Sequence, residues 1–121
     1  MKKRLLLVDD EAIVGMEMES HLRSLGYSVI GPLLRLQEAM DAVNSHQDID
    51  GAILDINVRG GLIYPVAEIL VKKGIPFILV TGYSLNTIRE EFRKYPMLHK
   101  PFNMVKLTAI INVTFGENCN A

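Results

Sequence analysis

The sequence is poor in several features that would otherwise direct its interpretation. It has one cysteine, Cys119, and no tryptophan among its 121 residues. One cysteine cannot form an intramolecular disulfide, and one thiol cannot build a cysteine-rich metal site. Charge of one sign is also not in excess, because 13 basic residues face 14 acidic ones. The composition therefore gives no electrostatic reason to expect nucleic acid or an anionic membrane as a partner.

Long hydrophobic runs are absent as well. A basic start is followed by only four apolar residues, Leu5–Val8, whereas a signal peptide needs about 7–15. No uninterrupted apolar run approaches the roughly 18 residues of a membrane span. The length suits one globular domain. We therefore expect a single cytoplasmic domain over residues 1–121, with a polar tail at 116–121.

Five short apolar runs recur along the chain. Each is too short for a helix, and none alternates with polar residues. Continuous apolarity of this kind is typical of strands covered on both faces, as in a parallel sheet. The runs are Leu5–Val8, Val29–Ile30, Ala52–Leu54, Phe77–Val80 and Met97–Leu98.

Amphipathic stretches with helical spacing follow each of these runs. Gly26 and Gly74 come after the first and third stretches, where glycine commonly ends a helix. The resulting order, βαβαβαβαβα, favours a five-stranded parallel sheet between two helical layers. Ligands of such sheets bind at the carboxyl ends of the strands. The apolar stripes begin at Val14, Leu36, Val66, Leu85 and Met104.

Three of these helices carry further signals at their first residues. Pro65 suits the first position of the third helix. The fourth is predicted from Leu85 to Tyr95, with a capping box between Thr87 and Glu90. Asn103 is expected to cap the fifth helix.

Polar residues follow four of the five strands and are expected to meet at one edge of the sheet. Clustered carboxylates repel one another and need a cation, and Mg²⁺ with its oxygen ligands suits them. A lysine and a threonine hydroxyl can hold phosphoryl oxygens. Each feature alone is weak, but their joint occurrence indicates phosphoryl transfer. The residues are Asp9, Asp10, Glu11, Asp55, Thr81 and Lys100.

These same residues carry a resemblance to a known family. Leu7–Glu11, Ala52–Asp55, Val80–Gly82 and Lys100–Phe102 resemble the receiver domain of bacterial two-component response regulators. The resemblance covers essentially the whole chain. It implies a flavodoxin-like (CheY-like), doubly wound (βα)5 fold. It also implies a cis peptide bond between Lys100 and Pro101.

The resemblance implies roles for individual residues. Asp55 would be the phosphoacceptor, charged by a histidine kinase or a histidine phosphotransfer protein. Asp10 and Asp55 would bind Mg²⁺ directly, Asp9 would act through water, and Asn57 would offer its backbone carbonyl. Thr81 and Lys100, in turn, would contact the phosphoryl group.

A narrower resemblance concerns the segment Pro76–Tyr83. It is similar to the Phe-Ala-Thr-Gly-Tyr signature of the "FATGUY" receivers, many of which are stand-alone proteins. Asn57 and Tyr83 fall where receivers tune the lifetime of the acyl phosphate. Met97 departs from common receivers, which carry an aromatic switch residue there. We therefore expect Tyr83 to be the ring that moves on activation.

The resemblance also implies partners. It predicts a kinase or phosphotransfer protein, a downstream protein partner and a homodimer through the fourth and fifth helices. It implies no enzyme activity beyond Mg²⁺-dependent self-phosphorylation and autodephosphorylation.

Three other functions have to be weighed. A haloacid-dehalogenase-like phosphatase needs Asp-x-Asp on its first strand, whereas here Asp55-Ile56-Asn57 follows the third. A flavodoxin needs a Ser/Thr-rich phosphate loop, where this chain has Asp9-Asp10-Glu11. A pseudo-receiver that serves only as an interaction scaffold is the third alternative, and the presence of every key residue argues against it.

Overall fold

Five parallel strands form one sheet in the order β2-β1-β3-β6-β7. The computed structural model describes residues 2–82 and 84–116. The strands of the sheet are β1 (Arg4–Val8), β2 (Ser28–Leu33), β3 (Gly51–Asp55), β6 (Phe77–Thr81) and β7 (Met97–His99), and a separate hairpin contains β4 (Asn57–Val58) and β5 (Gly61–Leu62). The helices are α1 (Ala12–Ser24), α2 (Leu36–Ser45), α3 (Tyr64–Lys73) and α4 (Met104–Phe115).

Helices cover both faces of this sheet. Leu5 and Leu7 of β1 pack with α1 and α4, whereas Leu6 and Val8 pack with α2 and α3. Both sets are buried, which explains why the strands are continuously apolar. The predicted doubly wound α/β architecture is therefore confirmed.

The helix ends follow the sequence signals closely. Gly74 adopts φ 71° and donates its N–H to carbonyls of the last turn of α3. The Asn103 side chain accepts the Lys106 N–H at 2.9 Å and caps α4. Pro65 takes the second position of α3, one residue later than predicted. None of the helices in the described ranges has the length and apolarity that a membrane crossing requires.

The predicted fourth helix is wrong. Between β6 and β7 the chain forms two short 3₁₀ turns, Leu85–Thr87 and Glu90–Phe92. Ile88 between them is extended, with φ −96° and ψ 138°. The predicted capping box does not form, because the Thr87 hydroxyl donates to the Ser84 carbonyl instead.

Competing hydrogen bonds explain this departure. The Arg93 guanidinium donates to the carbonyls of Ile88 and Asn86, which an α-helix would need as acceptors. The Arg89 N–H donates to the Tyr64 hydroxyl at 3.1 Å. Ring stacking also holds the segment, since Phe92 lies against Tyr64. Side-chain bonds of this kind replace the helical backbone pattern.

Two local features add to the predicted fold. The short hairpin of β4 and β5 follows Asp55 directly and pairs Asn57 with Leu62. Both Gly60 and Gly61 at its turn have positive φ values, which suits glycine. The Lys100–Pro101 peptide bond is cis, as the resemblance implied.

Candidate functional site

The strand register brings the predicted polar residues to one edge of the sheet. Val8 pairs with Leu54, so the next residues, Asp9 after β1 and Asp55 at the end of β3, lie at the same level on neighbouring strands. Asp55 itself pairs with Val80, so Thr81 lies one residue further along β6. The Lys100 N–H donates to the Thr81 carbonyl at 2.8 Å, which places the lysine beside β6.

An open cleft of about 430 Å³ lies at this edge. Asp55 lies in it with only 6% of its surface exposed, and Asp9 is buried beside it at 1%. The cleft therefore gives a ligand access to a largely desolvated carboxylate. It is lined by Asp10, Glu11, Asp55, Asn57, Gly82 and Lys100.

Both oxygens of the Asp55 carboxylate are engaged. Oδ2 accepts a hydrogen bond from Lys100 Nζ at 2.8 Å, and Oδ1 accepts the Asn57 N–H at 3.3 Å. Lys100 Nζ also lies 2.6 Å from Glu11 Oε1 and 3.7 Å from Asp9 Oδ1. One ammonium thus faces three carboxylates.

Burial and charge shift the protonation of these groups. Burial raises the pKa of Asp55 from 3.8 to about 6, although the hydrogen bond and charge of Lys100 oppose it. Burial likewise raises the pKa of Asp9. Desolvation alone would lower the pKa of Lys100, but its bonds to Asp55 and Glu11 outweigh it and raise the pKa. Lys100 is therefore a stable cation at neutral pH.

The donor set fits a hard divalent cation. Asp9, Asp10, Glu11 and Asp55 each offer a carboxylate oxygen, and these oxygens lie within 4.8 Å of one another. In the described contacts, Lys100 is the cation that lies among these four carboxylates, so the site has an excess of negative charge. Oxygen ligands and partial solvent access are what Mg²⁺ requires.

The sequence did not predict the contact that Glu11 makes in the site. Its place directly after the aspartate pair marked it as part of the strand-end cluster, but its contact with Lys100 depends on residues 89 positions apart. The hairpin that presents the Asn57 N–H to Asp55 was also missed. Both features arise from loop geometry, which the apolar pattern does not encode.

Thr81 and Tyr83 were also predicted to act at this edge of the sheet. Thr81 is buried at the end of β6 and borders a neighbouring cavity of about 330 Å³, together with Asn57 and Tyr64. Tyr83, predicted as the moving ring, lies outside the described residues. Cys119 and the tail beyond residue 116 do so as well.

Comparison with known proteins identifies the family. The solution structure of SdrG, a response-regulator receiver from Sphingomonas melonis, is 36% identical. The match covers 91% of this chain and 93% of SdrG, with a TM-score of 0.78. The chain belongs to the response-regulator receiver family. A second structure of SdrG, in its BeF3-activated conformation, matches at 37% identity over 92% of this chain and 98% of that chain, with a TM-score of 0.72.

Two further matches bear on this receiver. The transcriptional regulatory protein PdtaR of Mycobacterium tuberculosis is 30% identical over 95% of the chain, which spans only 58% of PdtaR. A receiver domain of a sensor histidine kinase from Pseudomonas aeruginosa, solved with magnesium in its active-site cleft, is 22% identical. That match covers 96% of this chain and 99% of the other, with a TM-score of 0.78, and shows the shared fold. No family model matches the chain.

Proposed function

We propose that this receiver accepts a phosphoryl group on Asp55 in the presence of Mg²⁺. The observation that carries the proposal is the surroundings of Asp55. It ends a central strand at the cleft, with Lys100 Nζ 2.8 Å away and further carboxylates beside it. A histidine kinase or histidine phosphotransfer protein would be the donor, as the family membership suggests. A pseudo-receiver would not require this arrangement.

The chemistry follows from the carboxylate and its neighbours. One Asp55 oxygen forms a bond to phosphorus while the bond from phosphorus to the donor's histidine nitrogen breaks, and the electron pair remains on the imidazole. Attack by water later returns the carboxylate and releases inorganic phosphate. The only activities proposed for the chain are this self-phosphorylation and autodephosphorylation.

Two side chains would handle the charge of the phosphoryl group. Lys100 already lies within hydrogen-bond distance of Asp55 and can donate to a phosphoryl oxygen. Thr81 ends the adjacent strand, where its hydroxyl can donate to another after a local shift.

The metal ligands would be Asp10 and Asp55 directly, Asp9 through water, and the Asn57 carbonyl. Held by these residues, Mg²⁺ would offset the negative charge of the acidic cluster and of the phosphoryl oxygens. The acidic cluster supports this assignment, and the magnesium-containing receiver from Pseudomonas aeruginosa is consistent with it.

Exposed apolar residues suggest where protein partners bind. Ile13 and Met16 are exposed on α1, the helix whose Val14 lines a groove together with Lys100, and this helix suits the approach of a phosphodonor protein. Val105 and Val113 are exposed on α4, at 77% and 85%, and suit a downstream partner or a second copy of the chain. A dimer would use α4 and the 3₁₀ segment, because the predicted fourth helix does not form. We place this signalling role in the cytoplasm.

Phosphorylation by acetyl phosphate tests the proposal. Incubation with Mg²⁺ should add one phosphoryl mass to the intact protein. Asp55→Asn should gain none, whereas Asp41→Asn, a control on the exposed surface of α2, should gain it normally. Equal labelling of Asp55→Asn and the wild type would refute the assignment.

A further inference from the structure

Lys100 is held by one residue that the proposed chemistry leaves unused. Its Nζ lies 2.6 Å from Glu11 Oε1, closer than its 2.8 Å distance from Asp55 Oδ2. Glu11 precedes α1, and its carbonyl accepts the Gly15 N–H at 2.9 Å, so the first turn of the helix fixes its backbone. Its own N–H donates to Asp9 Oδ1 at 2.8 Å.

The three carboxylates around Lys100 differ in what happens to them during the reaction. Asp55 becomes the acyl phosphate, and Asp9 belongs to the proposed metal ligands. Glu11 belongs to the same acidic cluster but is not one of the proposed metal ligands, and its Oε1 atom is bound to Lys100. It can therefore keep its contact with the ammonium while the charges of the other two carboxylates change.

We propose that Glu11 is a positioning residue that holds the Lys100 ammonium over Asp55 before and during phosphoryl transfer. An ammonium has three N–H donors. If one N–H is donated to Glu11, two remain for Asp55 and for a phosphoryl oxygen. The contact with Glu11 therefore leaves enough donors for the reaction. The proposal rests on the proposed function, because positioning matters only if Asp55 accepts the phosphoryl group.

Glu17 provides a matched control for this residue. It lies on α1, is exposed, and lines the same groove as Glu11 and Lys100. The described ion pairs do not include it. Glu17→Gln and Glu11→Gln therefore make the same change in charge near the same groove, but Glu11→Gln alone weakens the contact with Lys100.

The first measurement compares phosphorylation rates. Wild type and both variants are incubated with Mg²⁺ over a range of acetyl phosphate concentrations and followed by intact mass. Glu11→Gln should lower the maximal rate roughly twofold to fivefold, the range expected for a partly exposed ion pair, without raising the half-saturating concentration. Glu17→Gln should match the wild type. Equal rates for the two variants would overturn the proposal.

The second measurement is independent of phosphorylation. The ammonium protons of Lys100 are observed by ¹⁵N NMR, with and without Mg²⁺. Their exchange with water should accelerate in Glu11→Gln and stay unchanged in Glu17→Gln. An unchanged Lys100 signal combined with weaker Mg²⁺ binding would instead make Glu11 a metal ligand and overturn the proposal. If proton exchange at Lys100 accelerates in Glu11→Gln but the wild type takes no phosphoryl group, the proposed function is wrong, whereas the role of Glu11 in positioning Lys100 is supported.

Discussion

The proposed phosphoryl transfer depends on the carboxylate of Asp55. Burial makes its ionised form less favourable, while Lys100 and the Asn57 N–H stabilise that form only in part. The result is a carboxylate with a pKa of about 6 when no metal is bound. A cation in the cleft would favour the ionised nucleophile that phosphoryl transfer needs.

A pH-dependent stability follows from this shift. In metal-free buffer the native state binds the Asp55 proton more tightly than the unfolded state, whose pKa is near 3.8. The free energy of unfolding should therefore fall as pH rises through the window from 3.8 to about 6, apart from contributions of other groups. Urea unfolding in chelator at several pH values measures this slope.

Asp55→Asn isolates the contribution of Asp55 to that slope. It should flatten this part of the profile and raise metal-free stability near neutral pH by up to about 3 kcal/mol, because the substitution removes a buried negative charge whose pKa is raised from 3.8 to about 6. Asp41→Asn is the control and should keep the wild-type slope. If Asp55→Asn and the wild type gave parallel profiles, the raised pKa would be wrong.

Asp10 should control the response to magnesium. Mg²⁺ at 100 times its Kd should stabilise the wild type by about 2.7 kcal/mol, through binding to the native state alone. Asp10→Asn should lose most of this gain because the cluster loses a carboxylate ligand. Thermal unfolding with and without Mg²⁺ measures it, with Asp41→Asn as the control. A full magnesium response in Asp10→Asn would exclude Asp10 as a ligand.

At the scale of elements, the strands and four helices were predictable because their signals are local. Asn103 and Gly74 fix helix ends through bonds within a few residues of themselves. The segment after β6 has helical apolar spacing too, yet Tyr64 and Arg93 redirect its hydrogen bonds. The contact with Tyr64 comes from α3, which a pattern within residues 85–95 cannot reveal.

Removing the Tyr64 hydroxyl should loosen this segment. In Tyr64→Phe the Arg89 N–H loses its acceptor, so its hydrogen exchange should accelerate, and the free energy of unfolding should fall by about 1 kcal/mol. NMR-detected exchange and urea unfolding measure the two effects. Tyr95→Phe is the control, since Tyr95 contributes through its stacked ring on Phe77. Unchanged exchange at Arg89 would show that the hydroxyl does not hold the 3₁₀ turns.

For the whole molecule, the alternating order of strands and helices determines where the site lies. Parallel strands place all their carboxyl ends at one edge, so residues as distant as Asp9, Asp55 and Lys100 meet there. The order of strands and helices along the sequence was enough to predict that these residues lie close together. The distances within the site were not predictable, because they depend on the loop after β1 and on the hairpin after β3.

The most direct test of the central claim is to locate the phosphoryl group chemically. After incubation with acetyl phosphate and Mg²⁺, borohydride reduces an aspartyl phosphate to homoserine, which peptide mass spectrometry assigns to one position. The account predicts homoserine at position 55, dependent on Mg²⁺. Phosphorylated protein that yields an unreduced Asp55, with the modification at another residue, would contradict it.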